Sequence, residues 1–147
     1  MRVFNYYGHE EVNRSDAEKF ATKRRIDLRT YDAKDGPPDT HGAPSVVDLD
    51  SLTTGSDERD TFVRTYSRRP LHHPMAVFSY GLSSGATERL RRNGVLVFKR
   101  LHTGVFADLL RKVENKGIKP PTTIRRPHWL RRLGKWIGVI SGRIGLW

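Results

Sequence analysis

The sequence predicts a doubly wound α/β domain on a parallel sheet, and three observations carry that prediction. Segments of strand character alternate with segments of helical period, the order of a sheet covered by helices on both faces. Val95-Leu-Val-Phe98 is the most continuous apolar run and reads as a buried parallel strand. Pro44-Ser-Val-Val-Asp-Leu-Asp50 runs two β-branched residues into alternating carboxylates and then into the turn residues Ser51-Leu-Thr-Thr-Gly55. That places Asp48 and Asp50 at the C-terminal rim of the sheet, where open α/β sheets gather ligands.

In order, Arg2 to Tyr7 reads as a first strand, with Val3, Phe4, Tyr6 and Tyr7 supplying β-branched and aromatic content. Glu11 to Arg25 reads as a helix with Val12, Ala17, Phe20 and Ala21 near one face. Ile26 to Tyr31 alternates apolar and polar residues, as a half-exposed strand at the sheet edge does. Gly36-Pro37-Pro38 and the Gly42 that follows rule out a regular helix before the third strand, Ser45 to Asp50, so this crossover is an irregular loop. Ser56, followed by Asp57 and Glu58, reads as a helix cap, with Phe62, Val63 and Tyr66 as the apolar face and Pro70 as the limit.

Met75 to Tyr80 reads as the fourth strand, and Ser83-Ser84 caps a short helix that Asn93-Gly94 stops. After Val95 to Phe98, Thr103 caps a last helix in which Val105, Phe106, Leu109, Leu110 and Val113 keep the 3.6 period to Gly117. Three residues then lie at the ends of different strands on one edge: Asp50, Ser79 and Lys99.

With 147 residues the chain holds one domain and an appendage. Without cysteine it forms neither a disulfide framework nor a thiolate metal site. Met1 to Tyr7 is too poor in apolar residues for a signal peptide, and no stretch reaches the roughly 18 uncharged apolar residues of a membrane span. A cytoplasmic protein is expected. No His-x-x-x-His pair occurs, and the adjacent His72 and His73 do not share a helical face, so no metal site is expected.

The order and spacing of Asp50, Ser79 and Lys99 resemble the receiver domain of bacterial response regulators, a flavodoxin-like fold with a five-stranded parallel sheet. The resemblance covers residues 1–116. Pro44 to Asp50 resembles the family's phosphoacceptor strand, Gly94-Val-Leu-Val-Phe-Lys99 its final strand, and Tyr31-Asp-Ala-Lys-Asp-Gly36 the turn after its second strand. It implies that Asp50 stands where an aspartate is phosphorylated, Ser79 where a hydroxyl senses the phosphoryl oxygen, and Lys99 where a lysine pairs with it.

Departures from the family fall at the chemistry. The acidic pair that holds Mg²⁺ is replaced by Tyr6-Tyr7-Gly8, with Glu10 and His9 as the nearest substitutes. The proline after the lysine is Arg100, the aromatic switch position is Leu96, and the helix between strands two and three is the Pro/Gly loop. The expectation is a pseudo-receiver with no cofactor and no enzymatic activity, its degenerate site, Asp48 included, holding a structural ion pair between Asp50 and Lys99. A phosphorylatable regulator using Asp50 is the alternative. Asp48-Leu-Asp50 also looks like the nucleophile motif of haloacid-dehalogenase-type phosphatases, but the later acidic residues that family needs are missing from the basic end of the chain.

The net charge is +11, yet from Asn115 to Trp147 there are eight Lys and Arg and no acid, so the part before it is nearly balanced. Gly117 to Pro127 reads as a Pro/Gly linker and 128–147 as a basic amphipathic helix. Trp129, Leu133, Trp136, Ile137, Ile140 and Ile144 recur at three or four residues, while Arg131, Arg132 and Lys135 mostly fall elsewhere. With Arg125, Arg126, Arg143 and Trp147, this segment is expected to bind an anionic membrane surface or a membrane protein complex, on the cytoplasmic face. Packing on the protein itself and nucleic-acid binding are the other readings, and the aliphatic residues fit nucleic acid poorly. A solvated charge run is the plainest alternative.

Overall fold

The computed structural model describes residues 2–117. Of the linker expected over 117–127, Gly117 is the last residue of the final helix; residues 118–127 and the amphipathic helix expected over 128–147 lie outside the described residues. Met1–Asn115 forms one compact unit.

The elements are β1 (Arg2–Tyr7), α1 (Glu11–Lys23), β2 (Ile26–Tyr31), a 3₁₀ turn (Ala33–Asp35), β3 (Ser45–Asp48), α2 (Leu49–Leu52), α3 (Ser56–Tyr66), β4 (Met75–Phe78), α4 (Ser84–Arg92), β5 (Leu96–Phe98) and α5 (Thr103–Gly117). All strand pairs are parallel, in the order β2-β1-β3-β4-β5. This is the doubly wound flavodoxin-like sheet, with β2 at the edge as its alternation predicts.

Because strand side chains alternate between faces, β1 divides its aromatic rings between two cores. Phe4 and Tyr6 pack with Val46 and Ala76 against Ala17 and Ala21 of α1 and Val105, Phe106 and Leu109 of α5. Tyr7 packs with Val47, Met75 and Val77 against Val63 and Tyr66 of α3 and Ala86 and Leu90 of α4.

Several boundaries differ from the sequence reading. The first helix ends at Lys23 because Arg25 turns into the left-handed region, φ 57°, to enter β2. Val12 is 64 % exposed and does not belong to the buried face. The cap of α3 is Gly55, not Ser56, with no side-chain hydrogen bond of its own. Glu58 satisfies this end from within, accepting from the Thr54 N–H at 2.6 Å and the Thr54 hydroxyl at 2.5 Å. Those bonds hold its carboxyl below the usual range. At α5 the cap is His102, whose Nδ1 accepts from the Gly104 N–H at 3.0 Å. β5 is an edge strand in which only Val97 is fully buried, rather than a strand buried on both faces. Arg91 guards that edge by donating to the Val97 carbonyl at 3.1 Å.

The crossover from β2 to β3 contains no helix beyond the 3₁₀ turn. It is held by its own polar groups. The His41 ring hydrogen-bonds the Tyr7 hydroxyl at 2.7 Å and the Asp35 carbonyl at 2.9 Å, and it stacks on Tyr31 with centroids 4.0 Å apart. The Tyr66 hydroxyl donates to the Pro38 carbonyl at 2.8 Å. Asp39, buried and at φ 71°, accepts from the backbone N–H of His72 at 2.8 Å and of His73 at 3.0 Å. These three histidines anchor loops. Among the described residues no group of three or more His, Asp or Glu is arranged to hold a metal ion, and no helix is long and apolar enough to cross a membrane.

Candidate functional site

A parallel sheet brings the ends of β1, β3, β4 and β5 to one edge, and Asp48, Asp50, Ser79 and Lys99 all lie along it. Their local settings differ sharply.

Asp48 is the last residue of β3 and is 2 % exposed. Its carboxylate caps α2, accepting from the Ser51 N–H at 3.3 Å, and also accepts from Asn13 Nδ2 at 3.1 Å and the Tyr6 hydroxyl at 3.5 Å. Burial nonetheless raises its pKa above the ordinary carboxylate value, against the hydrogen bonds from Asn13 and Ser51. Asp48 is a fastening between β3, α1 and α2.

Asp50 does not end the strand as the alternation suggests, but sits in the first turn of α2, which the chain enters directly after Asp48. Oδ1 accepts from the Ser79 hydroxyl at 2.5 Å, and Oδ2 accepts from the Tyr80 N–H at 2.9 Å. The Ser79 oxygen in turn accepts from the Gly81 N–H at 3.1 Å. Asp50 and Ser79 are therefore brought together at this edge, Asp50 two residues beyond β3 and Ser79 one residue beyond β4.

The expected ion pair is corrected. Asp50 pairs with Arg59 of α3, Nη2 to Oδ1 at 3.4 Å. Lys99 is exposed and makes no ion pair among the described residues. It lines, with Ser79, Tyr80 and Arg91, a cavity of about 490 Å³ between α4 and β5. Arg59 takes the counter-charge role because its guanidinium lies across Gly81, where a Cβ would come within 2.6 Å of Cζ. Only a residue without a side chain leaves that path open.

The residues around Asp50 do not fit a Mg²⁺ ion, which takes near-octahedral oxygen coordination through carboxylates. At the end of β1, Tyr6 and Tyr7 are turned into the two cores. Gly8 has no room for a side chain, since a Cβ there would lie 2.7 Å from Asp48 Cβ. Glu10, the nearest substitute, is used as the cap of α1, accepting from the Val12 N–H at 3.1 Å and the Asn13 N–H at 2.8 Å. His9 donates its backbone N–H to the Ser51 hydroxyl at 3.2 Å.

The sequence reading missed Arg59, Gly8, Gly81 and Asn13. Two glycines at strand ends were a visible signal that something packs there, although not what. The expected tail ligands, Arg125 to Trp147, lie outside the described residues.

The order of the five parallel strands and the helices that flank them define the class: this is a domain of the receiver fold. No family model and no curated protein matches the chain. Among solved structures it is similar to a response regulator receiver protein from Pseudoalteromonas atlantica, with a TM-score of 0.58 and 15 % identity over 79 % of this chain and 99 % of that one. It is also similar to a CheY-like response regulator from Mesorhizobium loti, at 0.47 and 17 % over 76 % and 97 %. At 15 % identity the likeness to the first is one of fold.

Proposed function

We propose that this protein is a response-regulator-like interaction subunit: a non-enzymatic pseudo-receiver whose domain binds a protein partner and whose basic, tryptophan-bearing tail docks on an anionic membrane surface or a membrane protein complex. The observation that carries the first part is the satisfied state of Asp50, whose two oxygens are held by Ser79, Tyr80 and Arg59. A carboxylate nucleophile must approach phosphorus with a free lone pair while cations neutralise the phosphoryl oxygens. Here Oδ1 is shared by Ser79 and Arg59, Oδ2 is held by the Tyr80 N–H, and the acidic set for a metal is replaced by Tyr6, Tyr7 and Gly8. The second part rests on sequence, eight cations without an acid among three tryptophans.

Two measurements test the reading separately. The full chain is incubated with Mg²⁺ and acetyl phosphate and weighed intact. No phosphoryl adduct is expected, and an adduct that disappears in Asp50→Asn overturns the pseudo-receiver. Vesicles with and without phosphatidylserine are then sedimented with the full chain and with a chain ending at Lys116, at low and moderate salt. Binding that needs the tail and partly survives salt is expected. Its absence in both forms removes the membrane surface, and steeply salt-dependent binding to oligonucleotides would move the tail to nucleic acid.

A further inference from the structure

Every other strand-to-strand connection in this sheet carries a full helix, and the β2 to β3 crossover does not. On the face covered by α3 and α4, that leaves a groove of about 440 Å³ along the outer side of α3. One wall is Thr61, Phe62, Thr65 and Tyr66, with the Phe62 and Tyr66 rings 4.4 Å apart. The loop prolines Pro37 and Pro38 form the other. From Asp57 to Tyr66 the helical wall runs about 14 Å, between two and three turns of a second helix, and the turn after α3 extends it to Arg69. Its ends carry opposite charge: Asp57 and Glu58 at one, Arg69, 5.0 Å over the Tyr66 ring, at the other.

We propose that this groove receives an amphipathic helix of a partner protein, lying parallel to α3 in the place the crossover leaves without one. Three features fix that occupant. Between its charged ends the groove exposes mostly apolar surface, from the Phe62 and Tyr66 rings, Leu52 and the two prolines, so the ligand presents an apolar face at i, i+3, i+4 and i+7. The groove is helix-long and lies beside a helix. The acidic end complements cationic side chains and the positive N-terminus of the bound helix, and Arg69 complements its C-terminus. A helix in a parallel sheet's crossover runs against the strands, as α3 does, so the charge pattern and the vacant place agree on direction. The inference rests on reading the domain as an interaction module, and it does not involve the tail.

The test uses the full chain and two amidated, acetylated peptides of about 14 residues with leucines on one face. One carries lysines in its first turn and glutamates in its last; the other has the two charge sets exchanged. Binding is followed by amide chemical shifts and by fluorescence titration. The first peptide is expected to bind about fivefold or more tighter, although its charges oppose its own helix dipole. The shifts are expected at Ala33 to Gly36, at Leu52 and Thr53, and along α3. Thr61 is exposed, and its hydroxyl makes only local bonds within α3, donating to the Asp57 carbonyl at 2.9 Å and accepting from Arg64 Nη2 at 3.4 Å. Thr61→Arg therefore keeps the fold, fills the groove and is expected to abolish binding. Equal affinities, shifts elsewhere, or undiminished binding in Thr61→Arg overturn the proposal. Concentration-dependent shifts of the same residues without peptide would assign the groove to a second copy and overturn it too. A negative result leaves the acetyl phosphate and vesicle experiments unaffected.

Discussion

Arg59 of α3 reaches back to Asp50 at 3.4 Å, on the same oxygen that the Ser79 hydroxyl approaches to 2.5 Å. The contact joins α2, α3 and the loop after β4 at one point. The Asp50 side chain is 36 % exposed and Arg59 28 %, so screening reduces the charge attraction and the hydrogen bonds carry most of the energy. Asp50→Ala removes the acceptor for Ser79 and Tyr80 and is expected to cost about 1–2 kcal/mol. Arg59→Ala is expected to cost about 0.5–1 kcal/mol, with a coupling of about 0.5 kcal/mol in the double variant. Urea unfolding of the three variants checks this. Additive losses would show that the two charges do not act together.

Gly8 and Gly81 are both crowded, but by different atoms, and the difference sets the cost of adding a methyl group. At Gly8 the neighbour is Asp48 Cβ at 2.7 Å, part of a buried residue fastened by Asn13 and Ser51. At Gly81 it is the end of the Arg59 side chain, which can swing away. Gly8→Ala is expected to destabilise by about 1–3 kcal/mol, and Gly81→Ala by under about 1 kcal/mol. Gly81→Ala should also erase the coupling between Asp50 and Arg59. A Gly81→Ala protein with that coupling intact would contradict the placement of the guanidinium.

Much of this was legible in the sequence, for identifiable reasons. β1 and β2 were readable because their aromatic, β-branched and alternating residues face two cores and an edge. The Pro/Gly content of residues 36–42 excluded a crossover helix, and none is present. β5 was misplaced as a buried centre because apolarity alone does not distinguish a central strand from an edge strand shielded by Arg91. Asp50 was read as a strand end because the period-2 pattern of Val46-Val-Asp-Leu-Asp50 does not announce that Asp48 caps a helical turn. The counter-charge was assigned to Lys99 on family resemblance. Local pattern holds no sign that Arg59, nine residues after Asp50, returns over Gly81, because that path depends on how α3 packs.

Three tyrosines make the fold sensitive to alkali. Burial, and then the Asp48 charge, pushes the Tyr6 phenol far above its ordinary value; burial pushes Tyr7 up to about 12 and raises Tyr66 as well. In the unfolded chain each ionises near about 10. Above that pH the native state therefore holds more protons than the unfolded state. Stability is fully present below pH about 10 and is lost as pH rises towards the folded values, by about 1.4 kcal/mol per pH unit for each phenol. Tyr6→Phe keeps the ring in its core and gives up only a 3.5 Å hydrogen bond. Its stability is expected to fall less steeply than that of the parent between pH 10 and 11, by about that single-phenol slope. Parallel curves in urea titrations at the two pH values would contradict the burial of the Tyr6 hydroxyl.

The crossover without a helix hangs on Asp39. Its side chain is fully buried, its two oxygens accept from the consecutive N–H groups of His72 and His73, and its backbone is left-handed at φ 71°. Each feature alone could be relaxed. Together they fasten the loop before β3 to the loop before β4. Asp39→Ala leaves two N–H groups unpaired and puts a β-carbon residue without a compensating side-chain bond in a strained conformation, for an expected loss of about 2–4 kcal/mol. Asp39→Asn tolerates that backbone and keeps one acceptor oxygen, but turns its amide towards the other donor, for about 1–2 kcal/mol. Hydrogen exchange separates the two: both amides lose protection in Asp39→Ala, while one keeps it in Asp39→Asn. Unchanged exchange at His72 and His73 in both variants would mean that the loop is held by the Tyr66 and His41 contacts alone.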